Sequence, residues 1–268
     1  MKNNTLYEKN DKGVFNYKLT DHNIGGISGF RNFDGTQKDI VCLGAASTMG
    51  RFSHNPFPTL IEDNTKYSVA NLGWGGVGDH QYNNPEFINY INSSKLCIYQ
   101  INSGRSAENF NKTFNLPESL DCRDRPNKLV DLYKNNFPEF EEMFHKNKKE
   151  YLKNAKSLIQ QIKVPIIFIF ISKHNLDDVD ENKIRMKQPM QLLWNFPQFV
   201  TMQMVNEVVN ENQLGCFKQS ESQRLPKRIP DINSQQFNNI FQTSDYYPDQ
   251  ETHYDVAEFC IKTINKII

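Results

Sequence analysis

Apolar residues gather in five short runs along the chain, at 39–43, 67–72, 96–101, 164–172 and 215–218, and none of them alternates strictly with polar residues. That pattern predicts strands buried on both faces of a parallel sheet. Between the third and fourth runs, residues 128–163 place apolar side chains three or four apart and break near Pro138. Two helices are predicted there, the second long and amphipathic. Another helix is predicted over about 197–210, with Phe199, Met202, Val205 and Val208 facing inward. A closing helix over 253–268 aligns Val256, Phe259, Cys260, Ile264 and Ile267 on one face. Strands alternating with helices imply an α/β fold, a doubly wound parallel sheet of about five strands.

The flanking segments read differently. Within residues 1–37, FNYKLT and ISGFRNF look like short strands around glycine turns, so an N-terminal hairpin extension is expected to pack on a main domain spanning 38–268. Residues 219–246 are polar, with two prolines and many Asn and Gln, and predict a long loop over one end of the sheet. Lysine plus arginine and aspartate plus glutamate both number 31, so the formal net charge is zero. No global field then draws the chain to nucleic acid or a membrane surface, and charge-based recognition must be local.

Cys42, Cys97, Cys122, Cys216 and Cys260 are isolated from one another, and the polar start MKNNTLYEKNDKG lacks the apolar run of a secretory signal. A reducing cytoplasm is the expected compartment. With no CxxC and no HxxxH, and with GWGGVG in the wrong register for a dinucleotide fingerprint, neither a metal nor any other cofactor is expected. Asp79, His80 and His253 would hold a metal only if the fold brought them together. The oligomeric state is not legible.

Open α/β sheets bind ligands at the turns that follow their strands. Here those turns read GAASTMGRF, NLGWGGVGDHQY, NSGRSAEN and SKHN, and YYPDQETHYD precedes the last helix. In that order they resemble the SGNH or GDSL hydrolase superfamily, whose esterases, carbohydrate deacetylases and acyltransferases share a flavodoxin-like three-layer fold. The resemblance implies that Gly44, Thr48 and Gly50 match the first motif, with Ala45 and Ala46 at its aspartate and serine. A one-residue shift of the turn makes Ser47 the nucleophile.

By the same resemblance Gly76 stands at the oxyanion glycine. Gly104 stands near the family's asparagine, with Asn102 and Arg105 beside it. His253 is the base just before the last helix, and Asp249 orients it, with Asp245 or Glu251 as substitutes. GAASTMGRF, PFP at 56–58, QINSGRS and YYPDQETH together also look like an uncharacterised bacterial branch of that superfamily. That likeness implies regular Thr48, Gly50, Arg51 and Arg105 and a variable Ser47.

Two readings follow. In the first, a hydrolase or acyltransferase acts on an ester of a carbohydrate or other polar metabolite: Ser47 attacks, His253 and Asp249 supply the base, and Gly76 with Asn102 or Arg105 stabilises the oxyanion. In the second, the protein performs no hydrolysis and binds, or transfers a group to, an anionic or glycan ligand through Arg51, Arg105 and His253. Thr48 is then a cap, and Trp74 is a pocket wall or a platform for a sugar.

Overall fold

The computed structural model describes residues 3–11, 14–117, 125–173, 180–181, 192–193, 197–209, 214–218, 223–224, 243–244 and 246–268. His174, Cys122, Asp245 and nearly all of the expected 219–246 loop lie outside them. Helix α1 (Asn3–Asp11) opens the chain and leads into the antiparallel hairpin β1 (Leu19–Ile24) and β2 (Ile27–Arg31). The five apolar runs then form β3 (Ile40–Leu43), β4 (Val69–Asn71), β5 (Leu96–Gln100), β6 (Ile166–Ser172) and β7 (Leu214–Lys218). They make one parallel sheet in the order β4-β3-β5-β6-β7, the flavodoxin-like order. A two-stranded ribbon, β8 (Gln223–Arg224) with β9 (Thr243–Ser244), stands apart from it.

Side-chain alternation along these strands divides the core in two. Val41, Leu43, Cys97, Tyr99, Phe168 and Phe170 share one apolar cluster, while Ile40, Cys42, Leu96, Ile98, Ile167 and Ile169 share the other. Two buried faces explain why the runs do not alternate with polar positions; the polar Asn71, Gln100 and Ser172 stand at the carboxyl ends of their strands. The first cluster is covered by α5 (Pro85–Asn92), the long α8 (Phe137–Gln161) and the hairpin, whose Phe30 packs edge-on against Phe87. The second is covered by α3 (Phe57–Asp63) and the last helix, α10 (Gln250–Ile267). Helices therefore lie on both faces, giving three layers.

The predicted break near Pro138 separates α7 (Arg125–Asn135) from α8. Asn136 makes the break: its side chain accepts from the Glu139 N–H and caps α8, and Pro138 occupies the first turn where its missing N–H costs nothing. The helix expected over 197–210 is shorter, α9 (Met202–Val208), because Thr201 caps it by accepting from the Met204 N–H. Phe199 is buried from the turn before it, and Met204 rather than Met202 joins Val205 and Val208 inside. Helix α1 has no counterpart in the apolar pattern. Shorter helices, α2 (Ala46–Met49), α4 (Asp79–Tyr82) and α6 (Phe110–Thr113), occupy the turns after the strands. Among the described residues no helix is long and apolar enough to cross a membrane.

Candidate functional site

The chain leaves β3 for β4 on one side and returns to β5 on the other, so the switch point lies between the carboxyl ends of β3 and β5. There the Thr48 N–H and hydroxyl both donate to Gln100 Oε1, at 3.0 and 2.6 Å. Thr48 and Gln100 are fully buried. The bond clamps α2 to the central strand.

The turn expected to present Ser47 is instead the short helix α2, and every residue of it is buried. Gly50 ends it in the left-handed conformation at φ 82°, a state only glycine adopts without cost, and its N–H returns to the Ala46 carbonyl. Ser47 is 2 % exposed, and among the described residues no hydrogen bond joins it to His253.

His253 lies inside the first turn of α10 rather than ahead of it. Asp249, four residues earlier, caps that helix by accepting from the Thr252 N–H at 2.9 Å and the Thr252 hydroxyl at 2.7 Å. The imidazole is fully buried beside the Phe57 ring, and its Nδ1 accepts the Phe57 N–H at 3.3 Å. An Nδ1 that accepts carries no proton, so Nε2 holds it; Nε2 is buried and has no hydrogen-bond partner among the described residues. Burial, with the Arg31 charge nearby, pushes the ring down to about 3, although Asp249 pulls the other way. A neutral ring whose Nδ1 is already committed to a backbone N–H is not oriented by a carboxylate in the manner of a triad.

The expected oxyanion groups differ in exposure and in what they already hold. Gly76 is exposed at the apex of its turn, at φ 76°. Asn102 is fully buried, and its amide donates to Asp79 Oδ1 at 2.9 Å. Tyr151 donates its hydroxyl to the Asn102 carbonyl. Burial pushes the Asp79 carboxyl up, which favours its neutral form. Gly104 is pressed against the Phe199 backbone, where a Cβ would fall 2.4 Å from the carbonyl oxygen. Trp74 donates its indole N–H to the Ser28 carbonyl and so ties its turn to the hairpin.

Arg51 and Arg105 are linked through two adjacent tyrosines. Arg51 Nη1 donates to the Tyr247 hydroxyl at 3.0 Å, and Arg105 Nη2 donates to the Tyr246 hydroxyl at 3.2 Å. The two tyrosine rings meet edge to face with centroids 5.0 Å apart. Consecutive tyrosines just ahead of α10 thus bridge two guanidinium groups that come from different strand ends. Arg51 also turns Nε and Nη2 toward the Asp11 carboxylate, at 3.0 and 3.4 Å, and its charge lies 4.0 Å from the Tyr7 ring centroid.

Several residues of this end escape a reading by motif. Arg31 is 4 % exposed and donates to the carbonyls of Gly50, Ser53 and His54, at 2.9, 3.0 and 2.8 Å, which fixes the loop that carries Arg51. Burial pulls its pKa down to about 10. Asn4 and Asp11 come from the polar N-terminus, and only the fully buried state of both separates them from ordinary surface residues. Tyr246 and Tyr247 stand in the YYP run, which pointed to this region without a role. Among the described residues no group of three His, Cys, Asp or Glu is placed to hold a metal ion, so Asp79, His80 and His253 do not form one.

Residues 27–114 match a family described as a domain of unknown function (DUF6473). That stretch runs from β2 through α6 and contains Arg31, Arg51, Gly75 and Arg105. A search of curated proteins finds no match for the chain.

Proposed function

We propose that this chain is a divergent SGNH-like α/β protein that binds the anionic group of a sugar or other polar metabolite at the carboxyl ends of β3 and β5. Arg51 and Arg105 are the recognising groups. The observation that carries this reading is the bridging of the two arginines by the adjacent Tyr247 and Tyr246. Guanidinium groups offer forked donors to carboxylate, sulfate and phosphate, and Arg51 already receives a carboxylate in this way from Asp11. A local cationic site on a chain of zero net charge also fits selective recognition better than a general affinity for polyanions.

Ester cleavage by Ser47 draws no support from this arrangement, because His253 is buried and its Nδ1 is taken by the Phe57 N–H. His253 is better read as part of the frame than as a ligand contact. The test is a thermal-shift screen against sulfated, phosphorylated and carboxylated monosaccharides beside their neutral parents. Stabilisation by a charged member that Arg105→Gln removes is the expected result. Equal shifts for charged and neutral sugars, or shifts that survive Arg105→Gln, would overturn it.

A further inference from the structure

Helix α1 has the sequence NNTLYEKND, and its one leucine, Leu6, is 36 % exposed. A nine-residue helix this polar has little stability alone, and it has no apolar stripe with which to dock. Its attachment runs through Asn4, Tyr7 and Asp11, which share one face at spacings of three and four. Asn4 is fully buried: its Nδ2 donates to the carbonyls of Gly29 and Gly73 at 2.9 and 3.1 Å, and its Oδ1 accepts the Gly75 N–H at 2.9 Å. Tyr7 lies directly on Gly75, where a Cβ would fall 2.3 Å from its ring. Asp11 takes the Arg51 fork and also the Tyr17 hydroxyl, at 2.9 Å.

Each of the three residues reaches the turn after β4 or Arg51, at the carboxyl end of the sheet, while Asn4 also holds Gly29 of the hairpin and Asp11 also holds Tyr17. Each contact is of the kind a small molecule would make there: a carboxamide held by one N–H and two carbonyls, an aromatic face under a cation, and a carboxylate on a guanidinium fork. We propose that α1 is a built-in occupant of the site, and that the surface beneath it takes an acidic sugar carrying an N-acyl group, whose amide replaces that of Asn4 and whose carboxylate replaces that of Asp11. This rests on the reading of Arg51 and Arg105 as an anion site. Asn4 and Asp11 are seven residues apart, roughly 10 Å by helical rise, which calls for a disaccharide rather than a single ring. Ligand and helix then compete for the same donors, and binding releases α1.

The test uses the full chain and the disaccharide of glucuronic acid and N-acetylglucosamine, with neutral N,N′-diacetylchitobiose as comparator. Asp11→Asn keeps the shape of the helix and removes the internal carboxylate. By calorimetry this variant is expected to bind the acidic disaccharide at least tenfold more tightly than the wild type, and chitobiose at least tenfold more weakly than the acidic probe. Hydrogen exchange of the unaltered protein supplies a second readout: the α1 amides are expected to exchange faster at saturation.

Equal affinity of wild type and Asp11→Asn, with binding still lost in Arg105→Gln, would overturn the occupant role and leave the anion site standing. Binding of neither probe by either protein would overturn both. Equal affinity for the two probes would overturn the acidic ligand class. Should Asp11→Asn fail to fold, unchanged protection of α1 in the saturated wild type would overturn the proposal by itself.

Discussion

Acidification below neutrality should destabilise this fold through His253, and the effect is large enough to measure. The ring is fully buried and neutral, its Nδ1 holds the Phe57 N–H, and its folded pKa is about 3 against 6.5 unfolded. Between those values the unfolded chain binds a proton that the folded chain refuses, so stability rises with pH across the window and falls on acidification. From pH 7.5 to pH 5 the linkage relation assigns this one group a loss of about 2 kcal/mol. His253→Asn offers a carbonyl oxygen close to where Nδ1 accepts and does not titrate. Urea unfolding of both proteins at the two pH values gives the difference: the wild type is expected to lose about 2 kcal/mol more than the variant. Identical pH dependence would refute the buried neutral imidazole, and an imidazole NMR titration near 6.5 would do so independently.

Three further outcomes follow from the frame of the site. Ser47→Ala is expected to stay within about 1 kcal/mol of wild-type stability and to leave anion binding unchanged. The wild type should also resist labelling by a fluorophosphonate, and stoichiometric labelling of Ser47 would restore the hydrolase reading. Gln100→Leu strands the Thr48 N–H in the interior and leaves its hydroxyl only the Leu43 carbonyl at 3.5 Å, and is expected to cost about 1–3 kcal/mol in chemical unfolding, whereas a cost near zero would contradict the clamp between α2 and β5. Gly50→Ala places a Cβ 2.3 Å from Pro56 at φ 82° and is expected to cost at least about 2 kcal/mol, visible as a lowered melting temperature; an unchanged melt would mean that this loop is not held as described.

The sheet was legible because its strands are buried on both faces, which leaves uninterrupted apolar runs such as the one ending at Ser172. Long α8 was legible by its period, and its start by Asn136 and Pro138. Helix α1 was not, because periodicity registers apolar stripes and α1 docks through Asn4, Tyr7 and Asp11. At the candidate site, spacing put Ser47 and His253 at the right end of the sheet but could not report their environment. Whether a serine lies in a turn or one residue into a helix depends on Gly50 and the Gln100 clamp. Whether a histidine is open or sealed depends on Phe57, nearly two hundred positions away in the chain. Arg51 and Arg105 were legible as cations beside turns, while their joining by Tyr246 and Tyr247 required the fold.

The central claim is that Arg51 and Arg105 form one anion site. Calorimetric titration of the full chain with the glucuronate-containing disaccharide, repeated with Arg105→Gln and at raised salt, tests it most directly. Asp11 is paired with Arg51, and Arg105 Nη2 donates to the Tyr246 hydroxyl, so the Arg105 charge can be removed without orphaning Asp11. One charge-assisted contact is worth about 1.5–3 kcal/mol, so the account predicts saturable binding by the wild type, at least tenfold weaker binding by Arg105→Gln, and loss of affinity with salt. Wild-type affinity that is retained in Arg105→Gln and indifferent to salt would contradict it.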